Sequence, residues 1–303
     1  MEARITVVVG NHQGEHVLRD CLESIAAQTR APREVILVDG ASTDRSVELA
    51  EDLHARVLHA ENRGLGHLYN VGARAAAETE YVLCSNNDVA YEPRCLAELA
   101  DALDADETRF AADPTQLGWN DGRVIHARTM LVRGRLWREY LPGLHLDDAV
   151  PSDSVVPTVS AHGAAMLVRR ERLLELGGFD ESFFLEWEDL DLCWRAWLRG
   201  WPSVYVPRAR LRHRVGAVTT QQVRARRSAS SHHNLLRFAL KCLPPAAAAR
   251  VVAGELLRLP RHPRAIATAM LQIVHELPEI LSARRQLRPA ASLFAWMLEG
   301  QST

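Results

Sequence analysis

Val35-Ile36-Leu37-Val38-Asp39 is a short aliphatic run that stops on a carboxylate. A continuous apolar run of this length, without in–out alternation, reads as a strand buried on both faces of a parallel sheet. Ile5-Thr6-Val7-Val8-Val9 upstream has the same character, and Tyr81-Val82-Leu83-Cys84 downstream repeats it before Ser85-Asn86-Asn87-Asp88. Between the first two runs, Leu18, Cys21, Leu22 and Ile25 recur at the spacing of one helix face. Ser42 and Thr43 offer helix caps before Ser46–Leu53, a third strand is expected at Arg56–His59, and a helix near Leu68–Ala77. Alternation of this kind predicts an α/β fold, a mixed sheet flanked by helices on both faces. Ligands of such sheets sit beyond the carboxyl ends of the strands, where Asn11, His12, Asp39 and Asn86-Asn87-Asp88 fall.

The pattern loosens between 115 and 160 into Gly, Pro and charged residues, as expected of a variable, substrate-facing section. Order returns at Ala164–Val168, followed by a helix ended by Gly177-Gly178 and a stronger helix from Glu188 to Arg199. Strand-like Val204–Val206 and Leu211–His213 come next. From about 219 the chain reads as helices broken at Pro244-Pro245, Pro260, Pro263, Pro278 and Pro289.

Hydrophobic residues make up 47% of the 303 and charged residues 24%, the composition of a protein able to bury a sizeable core. The five cysteines are scattered without a CxxC pair, which argues against a zinc site or a disulfide framework and for a reducing, cytoplasmic setting. The start runs directly into a strand, so no leader peptide is expected, and no apolar stretch is long enough to span a bilayer. The net charge of −2 conceals an asymmetry: residues 220–303 carry twelve Arg and Lys against four Asp and Glu. A basic tail on an acidic body either meets an anionic surface such as a membrane or folds back on the body. A nucleic-acid partner is not expected.

Three constellations carry chemistry. Asp88 ends a strand at the sheet's carboxyl edge, where an oxygen could hold a divalent cation bridging a diphosphate, although Asn-Asp also marks turns. In Glu186-Trp187-Glu188-Asp189-Leu190-Asp191, the carboxylates fall in the first turn of a helix that buries the face Leu190, Cys193, Trp194, Trp197 and Leu198. Acidic residues there favour the helix dipole, and Asp191 with Arg195 could be only a surface ion pair. The preceding Gly177-Gly178-Phe179-Asp180-Glu181-Ser182-Phe183-Phe184 would suit an acceptor-binding lip, and a carboxylate beside it could take a proton from an attacking hydroxyl. His213, between Arg212 and Arg214, could be a neutral imidazole ligand to the cation of Asp88.

In this order the blocks resemble the family 2 inverting glycosyltransferases, in particular their rhamnosyltransferase-like branch. The resemblance spans about residues 4 to 240 and rests on Glu23–Thr29, Val38–Asp44, Asn62–Gly66 with Asn70-Val71-Gly72, Asn86–Asp88, the Gly-Gly-Phe-Asp-Glu-Ser-Phe-Phe and Glu-Asp-Leu-Asp-Leu-Cys-Trp-Arg blocks, and His213. It implies a GT-A type, Rossmann-like mixed sheet with a C-terminal helical extension: residues 1–114 as the nucleotide-sugar-binding half, 115–218 as the acceptor-binding and catalytic half of the same domain, and 219–303 as the helical region. It implies Asp189 as general base, Glu188, Asp191 and Trp187 around the acceptor, and Asn11, Asp39, Asp44, Asn70 and Asn87 on the donor side. Asp88 and His213 would hold Mg²⁺ or Mn²⁺, and an in-line attack on a metal-bound diphosphate donor would invert the anomeric carbon. Two departures stand out: Asn86 removes the first carboxylate of the DxD element, and Gly40 replaces the usual Asn after the second-strand aspartate.

The implied donors are dTDP-rhamnose or a UDP-hexose, and the implied acceptor is a hydroxyl of a glycan, a lipid-linked sugar or a small natural product, in cell-surface polysaccharide assembly. Leu256, Leu257, Ile266, Met270, Ile273, Val274 and Leu277 sit at helical spacing among arginines, so the tail could pack on the body, pair with a second copy, or dock peripherally on the inner face of the cell membrane. Two other readings are a non-catalytic nucleotide-sugar-binding partner subunit and a sugar-phosphate nucleotidyltransferase. The loop Gly10–Glu15 lacks the Gly-rich basic character of the latter.

Overall fold

The computed structural model describes residues 4–76, 79–131, 142–144, 154–217 and 221–287. Strand β1 (Ile5–Asn11) is buried throughout, and α1 (Leu18–Ala26), β2 (Glu34–Asp39), α2 (Ser46–Asp52), β3 (Arg56–His59), α3 (Leu65–Ala75) and β4 (Tyr81–Asn86) follow in order. These four strands run parallel in the order β4-β1-β2-β3. The period-2 pleat splits β1 between two cores. Ile5, Val7 and Val9 pack with Leu18, Cys21 and Ile25 of α1, while Val8 meets Ile36, Val38 and Leu68 on the opposite face. The aliphatic runs are thus apolar on both sides because helices cover both sides.

The second half extends the same sheet. It comprises β5 (Val89–Tyr91), α4 (Cys95–Asp104), β6 (Ala111–Gly118), β7 (Val124–His126), β8 (Thr129–Leu131), β9 (Pro142–Leu144), β10 (Val156–Thr158), β11 (Ala165–Arg169), α5 (Arg170–Glu175), α6 (Glu188–Leu198) and β12 (Ser203–His213). The main path is β10-β12-β6-β11-β4-β1-β2-β3, with β5 on β12 and β7 on β6, and β11 antiparallel to both β4 and β6. The sheet is therefore mixed, and the expected division near 114 falls inside β6. Val204–Val206 and Leu211–His213 belong to one strand, whose register against β6 shifts between Val206 and Arg210, where Pro207 cannot donate to the ladder.

Three helices close the described chain: α7 (Gln221–Cys242), α8 (Pro245–Arg258) and α9 (Pro263–Gln286). Pro245 and Pro263 start helices, as proline's fixed φ and missing N–H allow. Pro278, expected to break a helix, lies inside α9. It sits on the exposed side, like Val274 one turn before it, so water can reach the carbonyl that loses its partner. Pro289 lies outside the described residues.

Helix α7 folds back onto the body. Phe238 packs against Trp187 at a tilt and against Trp194 edge to face, each at 5.4 Å between ring centroids. Beside it Arg237 and Lys241 reach Asp180 at 3.1 and 2.7 Å. This part of the basic tail is neutralised by the acidic body.

Candidate active site

A cleft of about 900 Å³ opens where β1, β4, β6 and β12 end. Asn11, the last residue of β1, and Asn87 form its floor, with Asn87 Nδ2 donating to Asn11 Oδ1 at 2.6 Å. Asn11 Nδ2 in turn donates to Asp39 Oδ1 at 2.8 Å. Asp39 is 1% exposed, and it also accepts the Ser42 backbone N–H at 2.9 Å and the Ser42 hydroxyl at 2.6 Å. It therefore stands behind Asn11 and is not a wall of the cleft. Ser42, expected to cap α2, spends its hydroxyl here. The residue that accepts the Ser46 N–H at 3.1 Å is Asp44, which also accepts the Glu15 N–H at 2.9 Å. Burial opposes ionisation of Asp44, but a hydrogen bond from the Ser46 hydroxyl and then these two outweigh it and hold its pKa low. Asp44 ties two loops together outside the cleft wall.

Asp88 and His213 meet through strand pairing. Val89 of β5 lies opposite His213 of β12, which brings His213 Nε2 to 3.3 Å from Asp88 Oδ1. Asp88 Oδ1 is buried without a hydrogen-bond partner, while His213 Nδ1 lies 2.9 Å from Gln116 Oε1. The amide oxygen can only accept, so Nδ1 is the donor here and Nε2 is the ring nitrogen that faces Asp88. A carboxylate oxygen without a hydrogen-bond partner beside an imidazole nitrogen fits a hard divalent cation that takes its other ligands from a diphosphate and water. Among the described residues no group of three His, Cys, Asp or Glu could hold a metal by itself.

The opposite wall is the start of α6. Glu186 and Trp187 both have left-handed backbone, with φ of 68° and 77°. Two consecutive non-glycine residues in that region are costly and persist only when their surroundings impose them. Asn234 of α7 does so, donating to the carbonyls of Leu185 and Glu186 at 3.0 and 3.1 Å. The turn delivers Trp187, Glu188 and Asp189 to the cleft. Asp189 is half-buried, and its oxygens accept the Gly163 N–H at 2.8 Å and the Leu190 N–H at 2.7 Å. Glu188 is 4% exposed, with Oε2 lacking a partner. Burial, then the neighbouring Asp189, pushes its pKa up to about 8.

Two more expected site residues lie outside the cleft wall. Asp191 is fully buried between Arg195 Nε at 2.8 Å and Lys241 Nζ at 2.8 Å. It is neither an acceptor contact nor half of a surface pair, but a core ion pair joining α6 to α7. Burial raises its pKa, and Lys241 and Arg195 more than reverse that. Asn70 is 3% exposed and binds the Phe179 backbone at both ends, Nδ2 to the carbonyl at 2.9 Å and Oδ1 from the N–H at 2.8 Å. It anchors the loop that leads to α6 instead of lining the donor side.

The cleft also contains His126 and His162, with Asp113 buried behind them, none of which the sequence singled out. Asp113 Oδ2 lies 2.9 Å from His126 Nε2 and Oδ1 accepts the His162 N–H at 3.1 Å. Burial pushes the Asp113 pKa well up and those of both histidines down to about 4.

With this geometry in place, the sequence profile of Glycosyl transferase family 2 matches residues 6–169. The chain belongs to that family. N-acetylglucosaminyl-diphospho-decaprenol L-rhamnosyltransferase of Mycobacterium tuberculosis is 31% identical over 232 residues, 68% of this chain and 74% of the relative. Among solved structures, GalNAc-T7 with UDP, GalNAc and Mn²⁺ superposes with a TM-score of 0.65 at 19% identity, covering 98% of this chain and 56% of that one. The mannosyltransferase PcManGT of Pyrobaculum calidifontis, in complex with GDP-Man and Mn²⁺, gives 0.57 at 21% identity, covering all of this chain and 80% of that one. The fold of this family 2 glycosyltransferase is thus of GT-A type, and the nucleotidyltransferase reading is set aside.

Proposed function

We propose that this glycosyltransferase moves a sugar from a nucleotide-diphosphate donor to an acceptor hydroxyl with inversion, Asp189 acting as general base. One observation carries the proposal: Asp189, aimed by the Gly163 N–H, lines the same cleft as the Asp88–His213 pair. Asn11, backed by Asp39, and Asn87 would bind the donor's nucleoside side. Asp88 and His213 would hold Mg²⁺ or Mn²⁺, which when bound offsets the diphosphate's charge and eases its departure. Asp189 takes the proton of the attacking hydroxyl, and the acceptor oxygen bonds to the anomeric carbon as the bond to the nucleoside diphosphate breaks. Trp187 supplies an apolar wall for the acceptor sugar, and Glu188, protonated near neutrality, can donate a hydrogen bond to it.

The Mycobacterium tuberculosis relative is named for rhamnose transfer to N-acetylglucosaminyl-diphospho-decaprenol. That supports dTDP-rhamnose as donor, with UDP-hexoses as the alternative, and a sugar on a polyprenyl diphosphate as acceptor. An amphipathic surface supports the lipid-linked acceptor. Leu271, Val274 and Leu281 form an exposed stripe on α9, Leu256 and Leu257 are exposed on α8, and Arg261 and Arg264 flank the turn between them. No described helix is long and apolar enough to cross a membrane. Apolar side chains beside arginines suit docking on an anionic bilayer.

The test incubates the protein with Mn²⁺, dTDP-, UDP- and GDP-sugars and a GlcNAc-diphospho-polyprenol. Release of nucleoside diphosphate with an inverted product linkage by NMR is expected. Donor binding without transfer to any acceptor would instead favour a non-catalytic partner subunit. Cosedimentation with phosphatidylglycerol vesicles, lost in Leu271→Glu/Val274→Glu, tests the membrane face; a concentration-dependent dimer that ignores vesicles would replace it.

A further inference from the structure

Asp113, His126 and His162 form a buried polar cluster that the proposed reaction leaves without a task. β7 runs antiparallel to β6 and sets His126 opposite Gln116, so the imidazole is fixed from the backbone up. Asp113 has no exposed surface and spends one oxygen on the His162 N–H and the other on His126 Nε2. The ring of His126 lies 4.7 Å from that of His162. His126 is 2% exposed and lines the cleft together with Thr129, Ser160, Gly163 and Asp189, yet its Nδ1 has no partner. An unsatisfied imidazole nitrogen in so buried a place is costly. A cleft wall is where substrate can satisfy it.

We propose that His126 is an acceptor-binding residue, its Nδ1–H donating to an oxygen of the acceptor sugar beside the hydroxyl that Asp189 activates. The polarity follows from proton counting. A buried carboxyl–imidazole pair avoids net charge, and the neutral pair carries two protons. One of them lies in the contact between Asp113 Oδ2 and Nε2, and Asp113 Oδ1 faces the His162 N–H donor, so the other sits on Nδ1. His126 thus presents a donor, and the ligand must present an oxygen lone pair, as a hydroxyl or an acyl carbonyl does. The neighbours assign it to the acceptor and not the donor. Gly163, which follows His162, donates to Asp189, whereas the nucleoside-side residues Asn11 and Asn87 bond to one another.

The inference rests on the proposed transfer, and the test separates the two. Acceptor KM, kcat and donor hydrolysis in water are measured for the native protein and two variants, with the GlcNAc-diphospho-polyprenol as probe. In His126→Asn the amide nitrogen superposes on Nδ1, keeping the donor but losing Asp113. In His126→Gln the amide reaches the Nε2 position, keeping Asp113 but leaving nothing at Nδ1. We expect His126→Gln to raise acceptor KM about tenfold or more, with donor hydrolysis unchanged, and His126→Asn to recover most of that loss. A purely structural His126 gives the reverse order, Gln better than Asn, and overturns the inference. Equal acceptor KM in all three overturns it as well. A native protein that transfers to no acceptor defeats the transfer reading, and this one with it.

Discussion

Replacing Asp189 with Asn tests the base directly, and the structure sets what else the change costs. The carboxylate accepts two backbone N–H groups, Gly163 at 2.8 Å and Leu190 at 2.7 Å, one on each oxygen. Asn has a single oxygen, so one of those donors must face the amide NH₂. Leaving one such donor unsatisfied costs about 1–3 kcal/mol. A domain with 5–15 kcal/mol of stability stays folded under that load. The chemical loss is larger: removing a positioned general base lowers kcat by about 10²–10⁴. Donor binding should change little, because Asn11, Asn87, Asp88 and His213 make no hydrogen bond to Asp189. The assay pairs nucleoside diphosphate release at saturating donor and acceptor with calorimetric donor affinity and a thermal melt. The expected result is a melt a few degrees lower, native donor affinity and at least a hundredfold loss of kcat. A kcat within about tenfold of native, or a collapse of donor affinity, would refute the assignment.

Other perturbations probe the surroundings. Glu188 has a folded pKa of about 8 against an ordinary 4.5, so the folded state keeps a proton that the unfolded chain has lost. Its contribution to stability therefore falls as pH rises between those values. Glu188→Gln should melt progressively higher than native as melts move from pH 5 to pH 8, and a pH-independent offset would contradict the burial argument. Arg237, 1% exposed, is held by Asp180, Glu276 and Glu279. Arg237→Ala should cost about 1.5–3 kcal/mol in denaturant melts, because it leaves Lys241 as the remaining cation on the half-buried Asp180; under about 1 kcal/mol would make the network ornamental. Gly64 has φ of +107°, and a Cβ there would strike the Phe184 carbonyl. Gly64→Ala should shift the loop that leads to Asp189 and lower kcat about tenfold or more, a result that unchanged kinetics would exclude.

The first half of the sheet was legible because its strands are aliphatic on both faces and its polar residues cluster where strands end. β6 was not legible. Asp113, Thr115 and Gln116 are buried polar residues on that strand, so its sequence reads as loop although the strand crosses the middle of the sheet. Each bonds to a residue remote in sequence, as Gln116 Oε1 does to His213, and no local pattern records that. The same limit misled the reading of Asp191. Its i+4 partner Arg195 is visible in the sequence, but Lys241, which makes the pair a core feature, is fifty residues away. Pro278 was misread for the opposite reason: the local rule is sound, but its position on the exposed side of a packed helix relaxes it.

The two walls of the cleft are therefore built by different physics. Asn11, Asn87 and Asp88 are placed by strand ends, whose register is fixed by the buried alternation of β1 and β4. Asp189 follows two residues that disfavour their own backbone conformation, at about 1–3 kcal/mol each. Asn234 holds that turn through the carbonyls of Leu185 and Glu186, and Phe238 packs against Trp187. Both come from α7, whose Arg237 and Lys241 bind Asp180 in the same loop. Arg237 also reaches Glu276 of α9, the helix that bears the exposed apolar stripe. The helical extension is thus part of the cleft wall that carries Asp189, and the docking of α7 sustains the strain at Trp187. A carboxylate set on such a turn is positioned by long-range packing, which is why α6 alone, read as a helix with an acidic first turn, left its role open.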